Sequence, residues 1–174
     1  SSWFVLDRKR GLFKSHFLRR HTGAMRVEER AYAKVNLGLK VLGRRSDGYH
    51  EILTVMQTVD LWDRVVLEEA GEVSLTCVDH KVPEGPENLA YRAAESFRKA
   101  FGISKGVRIC LLKRIPVGAG LGGGSSDAAA VLRGLCRLWG IRPDFRKLEK
   151  LAASLGSDVP FLLRPGTAVA RGRG

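Results

Sequence analysis

Cysteine is scarce in this chain: three thiols, Cys77, Cys110 and Cys136, stand 33 and 26 residues apart among 174. With no close pair, the spacing argues against a disulfide framework and a zinc ribbon, and it favours a reducing compartment. No apolar run approaches the ~18 residues that a membrane-spanning helix requires. Internal repeats, low-complexity tracts and Pro- or Ser-rich linkers are also missing. Acidic residues are in short supply, with 18 Asp and Glu against 30 Lys and Arg, a net charge of +12. What remains is an ordinary soluble composition, 44% hydrophobic and 28% charged, with a mean hydropathy of −0.11. The length suits roughly one domain. It also suffices to bury about 70% of the unfolded surface without covalent staples.

The excess of positive charge invites a nucleic-acid reading, so its location matters. Residues 1–24 carry Arg8, Lys9, Arg10, Lys14, Arg19 and Arg20 against Asp7 alone. The remaining excess is spread thinly, without the interleaved basic and aromatic residues of a nucleic-acid groove. A partner of that class is not expected, nor is a membrane. The basic segment has no uninterrupted apolar core, which excludes a secretory signal. Its Arg-rich, acid-poor character is shared with organellar transit peptides, and a plastid setting is the minor alternative to a cytoplasmic one. Residues 1–28 are expected to be a disordered basic leader or a misread start, with Met25 as the natural first residue. His16, His21 and His80 lack metal-ligand spacing and read as surface residues.

Residues 29–174 read as one domain. The alternation in AYAKVNLGLKV predicts a strand over 29–41, and a polar turn follows at 43–51. Further strands are predicted over 52–59, 64–69, 73–78 and 107–113. Asn88 reads as the N-cap of a helix reaching Phe101. A second helix is predicted over 126–139, ended by Gly140 and Pro143. Asp144 caps a third, in which Phe145, Leu148, Leu151, Ala152 and Leu155 recur at helical spacing. A short strand at 167–170 closes the chain, and the class is α+β.

Glycine is in excess, 20 in 174, or about 11% against a usual 7%. Five of the twenty fall within PVGAGLGGGSSDAAAVL, at Gly118, Gly120, Gly122, Gly123 and Gly124. So many glycines let backbone approach a ligand closely or adopt positive φ. Ser125, Ser126 and Asp127 then open a helix, whose free N–H groups and dipole favour an anion such as polyphosphate. A Walker A loop is excluded, because no Gly-Lys-Ser/Thr ends the segment. A dinucleotide G-x-G-x-x-G matches formally at Gly118, Gly120 and Gly123. Pro116 and the antiparallel-looking early strands disfavour it.

The whole string resembles the phosphate loop of the GHMP kinase superfamily, Pro-x-x-x-Gly-Leu-Gly-Ser/Gly-Ser-Ser. AKVNLGLKVLGRRSDGYHEI, ENLAYRAA and LGSDVPFLL, in this order, resemble the 4-diphosphocytidyl-2-C-methyl-D-erythritol kinases within it, over residues 31–172. The resemblance implies a GHMP kinase N-terminal (ribosomal protein S5 domain 2-like) fold with a left-handed βαβ crossover, its C-terminal GHMP domain missing. It implies ATP and Mg as cofactors and a cytidine diphosphate-linked sugar alcohol as acceptor, on the methylerythritol phosphate route to isoprenoid precursors. By position, Lys34 and Asp158 match the catalytic pair. Pro116, Val117, Gly118, Ala119, Gly120, Leu121, Gly122, Gly123, Gly124, Ser125 and Ser126 match the ATP loop, with Asn88 and Lys113 on the adenine side. Asn36, Tyr49 and His50 match positions that meet the cytidine-containing substrate. No carboxylate cluster suggests a dedicated metal cage, so Mg is expected on the ATP phosphates with the Ser126 hydroxyl as a candidate contact. The alternatives are a GHMP kinase of mevalonate or homoserine type and a non-catalytic nucleotide-binding fragment.

Overall fold

The computed structural model describes residues 2–5, 18–21, 24–44, 46, 48–78 and 82–173. In chain order these form strands β1 (Ser2–Val5), β2 (Leu18–His21), β3 (Ala24–Arg44), β4 (His50–Ala70) and β5 (Ser74–Cys77). Helix α1 (Leu89–Phe101), strand β6 (Gly106–Leu112) and helices α2 (Gly123–Leu138), α3 (Phe145–Leu155) and α4 (Val159–Leu162) follow, with β7 (Thr167–Arg173) last. Strands early and helices late give the α+β class that the sequence indicates.

One strand organises the sheet. β4 pairs with β3 along one edge, and its other edge is shared. Glu51 to Gln57 pair with β7, and Arg64 to Ala70 pair with β6. β5 lies parallel to β6, with α1 between them in sequence. The helices cover the sheet, and Leu67, Phe97, Ile109, Leu111, Leu132 and Leu135 form its fully buried centre. α2 lies close against the strands: a Cβ on Gly134 would stand 2.3 Å from Leu67 Cδ1. Only glycine permits that approach.

Local chemistry explains the helix limits. Asn88 accepts from the N–H of Ala90 at 2.9 Å, and Gly102 ends α1 in a left-handed conformation at φ 64°. Asp144 accepts from the N–H of Arg146 at 3.2 Å and opens α3. Each satisfies donors or acceptors that a helix end leaves free. Arg133 of α2 ties three elements together from a buried position. Its guanidinium contacts Glu29 at 3.2 Å and donates to the carbonyls of Leu162 and Arg30 at 2.7 Å each.

The structure departs from the sequence expectations in four places. The two strands expected within 52–69 are one: residues 60–63 continue the strand, and Asp63 is a fully buried hydrogen-bond acceptor within it. α2 starts at Gly123 rather than Ser126, since the glycines themselves form its first turn. α4 is too short to carry a periodic pattern. The leader boundary at residue 28 falls inside β3. Strands β1 and β2 add to β7 and β3 as antiparallel neighbours, through backbone bonds that a charge count does not register. The rest of the expected leader, residues 6–17 included, lies outside the described residues, as do His16, His80 and the side chain of His21.

Candidate functional site

The glycine loop leaves the end of β6 and rises into solvent, with Pro116, Val117, Gly118, Ala119 and Gly120 exposed. Gly118, Gly120 and Gly122 take positive φ of 76°, 74° and 71°. This left-handed backbone is open to glycine and costly for other residues. The loop returns into α2 with Gly122 at the N-cap, where no side chain caps the helix and no acidic residue occupies the first turn. The N–H groups of Gly123, Gly124 and Ser125 therefore have no carbonyl partner within the helix. An anion is their natural complement.

β3 holds this turn from beside it. The Lys34 N–H donates to the Leu121 carbonyl at 2.9 Å, and the Ser126 hydroxyl donates to the Tyr32 carbonyl at 2.7 Å. Both contacts flank the register shift between Tyr32 and Lys34 in the β3–β4 pairing. The side chain of Lys34 then runs under Gly122. A Cβ on that glycine would lie 3.0 Å from Lys34 Cγ and 3.2 Å from Lys34 Cε. Beyond Gly122, Lys34 Nζ reaches Asp158 Oδ2 at 3.3 Å.

Asp158 immediately precedes α4 but does not cap it through its side chain. Its carboxylate faces Lys34 instead and remains about a third exposed, while the lysine is nearly buried. The neighbouring Gly156 passes Ser125, with 3.8 Å between its Cβ position and Ser125 Oγ. Lys34, Asp158 and residues 122–126 thus converge from three separate parts of the chain.

A second charged group lies beneath the loop. Lys113 Nζ contacts Asp63 Oδ2 at 2.5 Å and Asp127 Oδ2 at 2.6 Å. Asp63 Oδ1 accepts from the N–H groups of Arg114 at 2.5 Å and Ile115 at 2.8 Å. Burial alone would lower the pKa of Lys113, but the attraction of Asp127 and Asp63 outweighs it and raises the value. Burial pushes the Asp127 carboxyl up to about 7, opposed by Lys113 and reinforced by Asp63.

Two expectations change here, and a third residue keeps its expected cap. Lys113, expected on the adenine side, is enclosed below the loop with its ammonium committed to two carboxylates. Ser126, a candidate magnesium contact, is 1% exposed and spends its hydroxyl proton on Tyr32. Asn88 lies near the start of α2, since a Cβ on Gly124 would stand 3.8 Å from Cδ1 of the adjacent Leu89. Its amide group is committed, accepting from Ala90 and donating to the Pro83 carbonyl.

Asn36 is exposed and two residues along β3 from Lys34, so the two share a face. Tyr49 and His50, also exposed, stand at the far end of the β3–β4 hairpin, where His50 pairs with Arg44. Ten residues of strand separate Lys34 from Arg44, about 30 Å along the chain. Register shifts at Asn36/Gly38 and Val41/Gly43 bend that path. Asn36 thus lies on β3 beside Lys34, and Tyr49 and His50 lie at the turn end of the same hairpin.

Asp63 and Asp127 are the residues that sequence reasoning missed. An aspartate among apolar strand residues was the available signal for Asp63. A cavity of about 530 Å3 lies at the opposite end of α2, lined by Cys136, Arg137, Ile141, Phe145 and Leu148 among others. None of the predicted site residues lines it. Burial raises the Cys136 thiol to about 12, so it stays protonated there. Among the described residues there is no cluster of metal-ligating side chains, and no helix is long and apolar enough to cross a membrane.

The family described as GHMP kinases N terminal domain matches residues 88–166, which include the loop, α2 and Asp158. A 4-diphosphocytidyl-2-C-methyl-D-erythritol kinase of Bacillus licheniformis is 53% identical over 152 residues, covering 86% of this chain and 53% of that protein. Residues 88–166 are a GHMP kinase N-terminal domain. A second relative of the same name, from Caldanaerobacter subterraneus subsp. tengcongensis, is 47% identical over 150 residues, 86% of this chain and 52% of its own. A crystal structure of 4-(cytidine 5'-diphospho)-2C-methyl-D-erythritol kinase superimposes with a TM-score of 0.73 at 52% identity, covering 84% of this chain and 52% of that one. The mevalonate kinase of Methanococcus jannaschii, at 16% identity and a TM-score of 0.64, shares the fold over 87% of this chain and 55% of its own. The chain spans about half the length of the curated relatives it matches.

Proposed function

We propose that this chain is the ATP-loop half of a small-molecule kinase that transfers the γ-phosphoryl group of ATP to a hydroxyl of 4-diphosphocytidyl-2-C-methyl-D-erythritol, giving the 2-phosphate. The observation that carries the reading is the Lys34–Asp158 pair, 3.3 Å apart, beside an uncapped helix N-terminus. Phosphoryl transfer is mostly positioning and charge stabilisation. The N–H groups of residues 123–125 bind the polyphosphate. Asp158, the more exposed partner, accepts a hydrogen bond from the attacking hydroxyl and takes its proton. Lys34, held by the stem contact with Gly122, orients Asp158 and spreads the charge of the transferring group.

The fit to polyphosphate is physical, because the N-terminus of α2 has neither a side-chain cap nor an acidic residue in its first turn. Magnesium would neutralise the β and γ oxygens when bound with ATP. Ser126 is buried, so the phosphates and the more exposed Asp158 would supply the oxygens that meet it. Asn36, on the face of Lys34, is the protein group nearest to hand for the acceptor alcohol. Tyr49 offers a ring, and His50 a donor and acceptor, for a cytosine base. The relatives' names favour this acceptor over mevalonate or homoserine. The setting that follows is cytoplasmic, with a small-molecule substrate and no nucleic acid.

The test is phosphate transfer from Mg-ATP to the cytidyl alcohol, mevalonate and homoserine in parallel. Transfer to the first alone is expected. Lys34→Ala and Asp158→Asn should each lower it by about 10²–10⁴ while the fold persists. Near-native turnover in either variant at saturating substrate would remove that residue from the mechanism.

A further inference from the structure

Gly122 and Gly123, consecutive at the start of α2, rest on two different lysines. Gly122 faces the stem of Lys34, and a Cβ on Gly123 would stand 3.3 Å from Lys113 Nζ and 3.2 Å from Ile115 Cγ2. Lys34 belongs to the open site. Lys113 is sealed, its side chain 4% exposed between Asp63 at 0% and Asp127 at 4%.

Three buried charges are a poor means of stabilising a core, because desolvation cancels much of their attraction and apolar residues of similar volume often serve as well. Their geometry is more informative. Asp63 sits in the middle of β4, the strand that organises the sheet. Its Oδ1 fixes the N–H groups of Arg114 and Ile115, on the rising limb of the loop. Its Oδ2 holds Lys113, and Lys113 in turn holds Asp127, one turn into α2 on the descending limb. Both limbs of the loop are therefore referred to a single carboxylate on the rigid sheet, with the ammonium as the link directly under the backbone of Gly123.

We propose that Lys113 is a positioning residue of the glycine loop: wedged between Asp63 and Asp127, it supports Gly123 from below and sets where the first N–H groups of α2 stand relative to Lys34 and Asp158. This deepens the kinase reading and rests on it. Lys113 touches no substrate in this role. It acts through the backbone of residues 122–125, so its effect falls on phosphate and not on the nucleoside.

Two variants test it. Lys113→Arg keeps the charge and lengthens the group that meets Gly123. Lys113→Met with Asp127→Asn removes the link while leaving Asp63 its two backbone donors and an amide that can donate to it. Melting temperature and the affinities for Mg-ATP and for adenosine are measured on the whole chain. The expected result is a melting point within a few degrees of the native chain, an Mg-ATP Kd raised about ten- to hundred-fold, and an unchanged adenosine Kd. A folded variant of either kind with native Mg-ATP affinity would overturn the proposal and leave a structural ion pair. Equal losses for ATP and adenosine would overturn it too, as would unfolding of both variants, which would make the cluster a support of the core. Failure of the native chain itself to bind Mg-ATP would instead overturn the kinase reading, and this inference with it.

Discussion

Gly122 and Lys34 are fitted to one another: the α-carbon of the glycine faces the lysine stem so closely that a single Cβ would come within 3.0 Å of Lys34 Cγ. The glycine also holds φ at 71°, where a β-branched residue is an outlier. Gly122→Val therefore does two things at once. It strains the N-cap of α2 and pushes Lys34 away from Asp158. The expected outcome is an Mg-ATP Kd raised about ten- to hundred-fold in a protein that still folds, read by calorimetric titration. A folded variant with native affinity would remove the loop from nucleotide binding.

Gly134 sets two tendencies against each other in the middle of α2. Replacing a mid-helix glycine by alanine ordinarily gains up to about 1 kcal/mol. Here the new methyl would stand 2.3 Å from Leu67 Cδ1 and 3.2 Å from Glu29 Cγ, and Leu67 is fully buried. Overpacking of this kind costs about 1–3 kcal/mol, so the clash wins. Gly134→Ala should lower stability in urea unfolding, and Gly134→Ala with Leu67→Val should recover part of the loss. A single variant more stable than the native chain would mean that α2 can lift from the sheet freely.

These two glycines show what the sequence makes legible and what it does not. The loop, α1 and α3 could be read locally, because positive-φ glycines, Asn88 and Asp144 act on residues within a few positions of themselves. Lys34 and Asp158 each look ordinary alone, a lysine on a strand and an aspartate before Val159-Pro160. Only the resemblance of their flanking motifs brings them together before the fold does. Asp63 was lost for the opposite reason. Its partners Lys113, Arg114 and Ile115 lie about fifty residues away in sequence. Its place among apolar strand residues is the one local sign, and the carboxylate's partners become visible only in the fold. The resemblance puts Lys113 on the adenine side, and its burial, which depends on that same carboxylate, cannot be read locally.

Asp127 gives the chain a pH dependence whose sign follows from its raised pKa. Unfolded, its carboxyl titrates near 4. Folded, burial holds it at about 7, with Lys113 and Asp63 as its charged neighbours. The native state therefore keeps this proton longer than the unfolded state does. Stability from this group is greatest below about pH 4, declines as pH rises from about 4 to about 7, and is level above that. Asn at this position carries no titrating proton and keeps the shape of the neutral acid. The difference in melting temperature, Asp127→Asn minus native, should thus move in favour of the variant between pH 5 and pH 8. The shift should correspond to about 1–3 kcal/mol, because the buried cluster relaxes and shares charge. Scanning calorimetry of both proteins across that range decides it, since titrating groups outside the cluster cancel in the difference. A difference that stays flat from pH 5 to pH 8 would show that Asp127 is already ionised throughout, held so by Lys113.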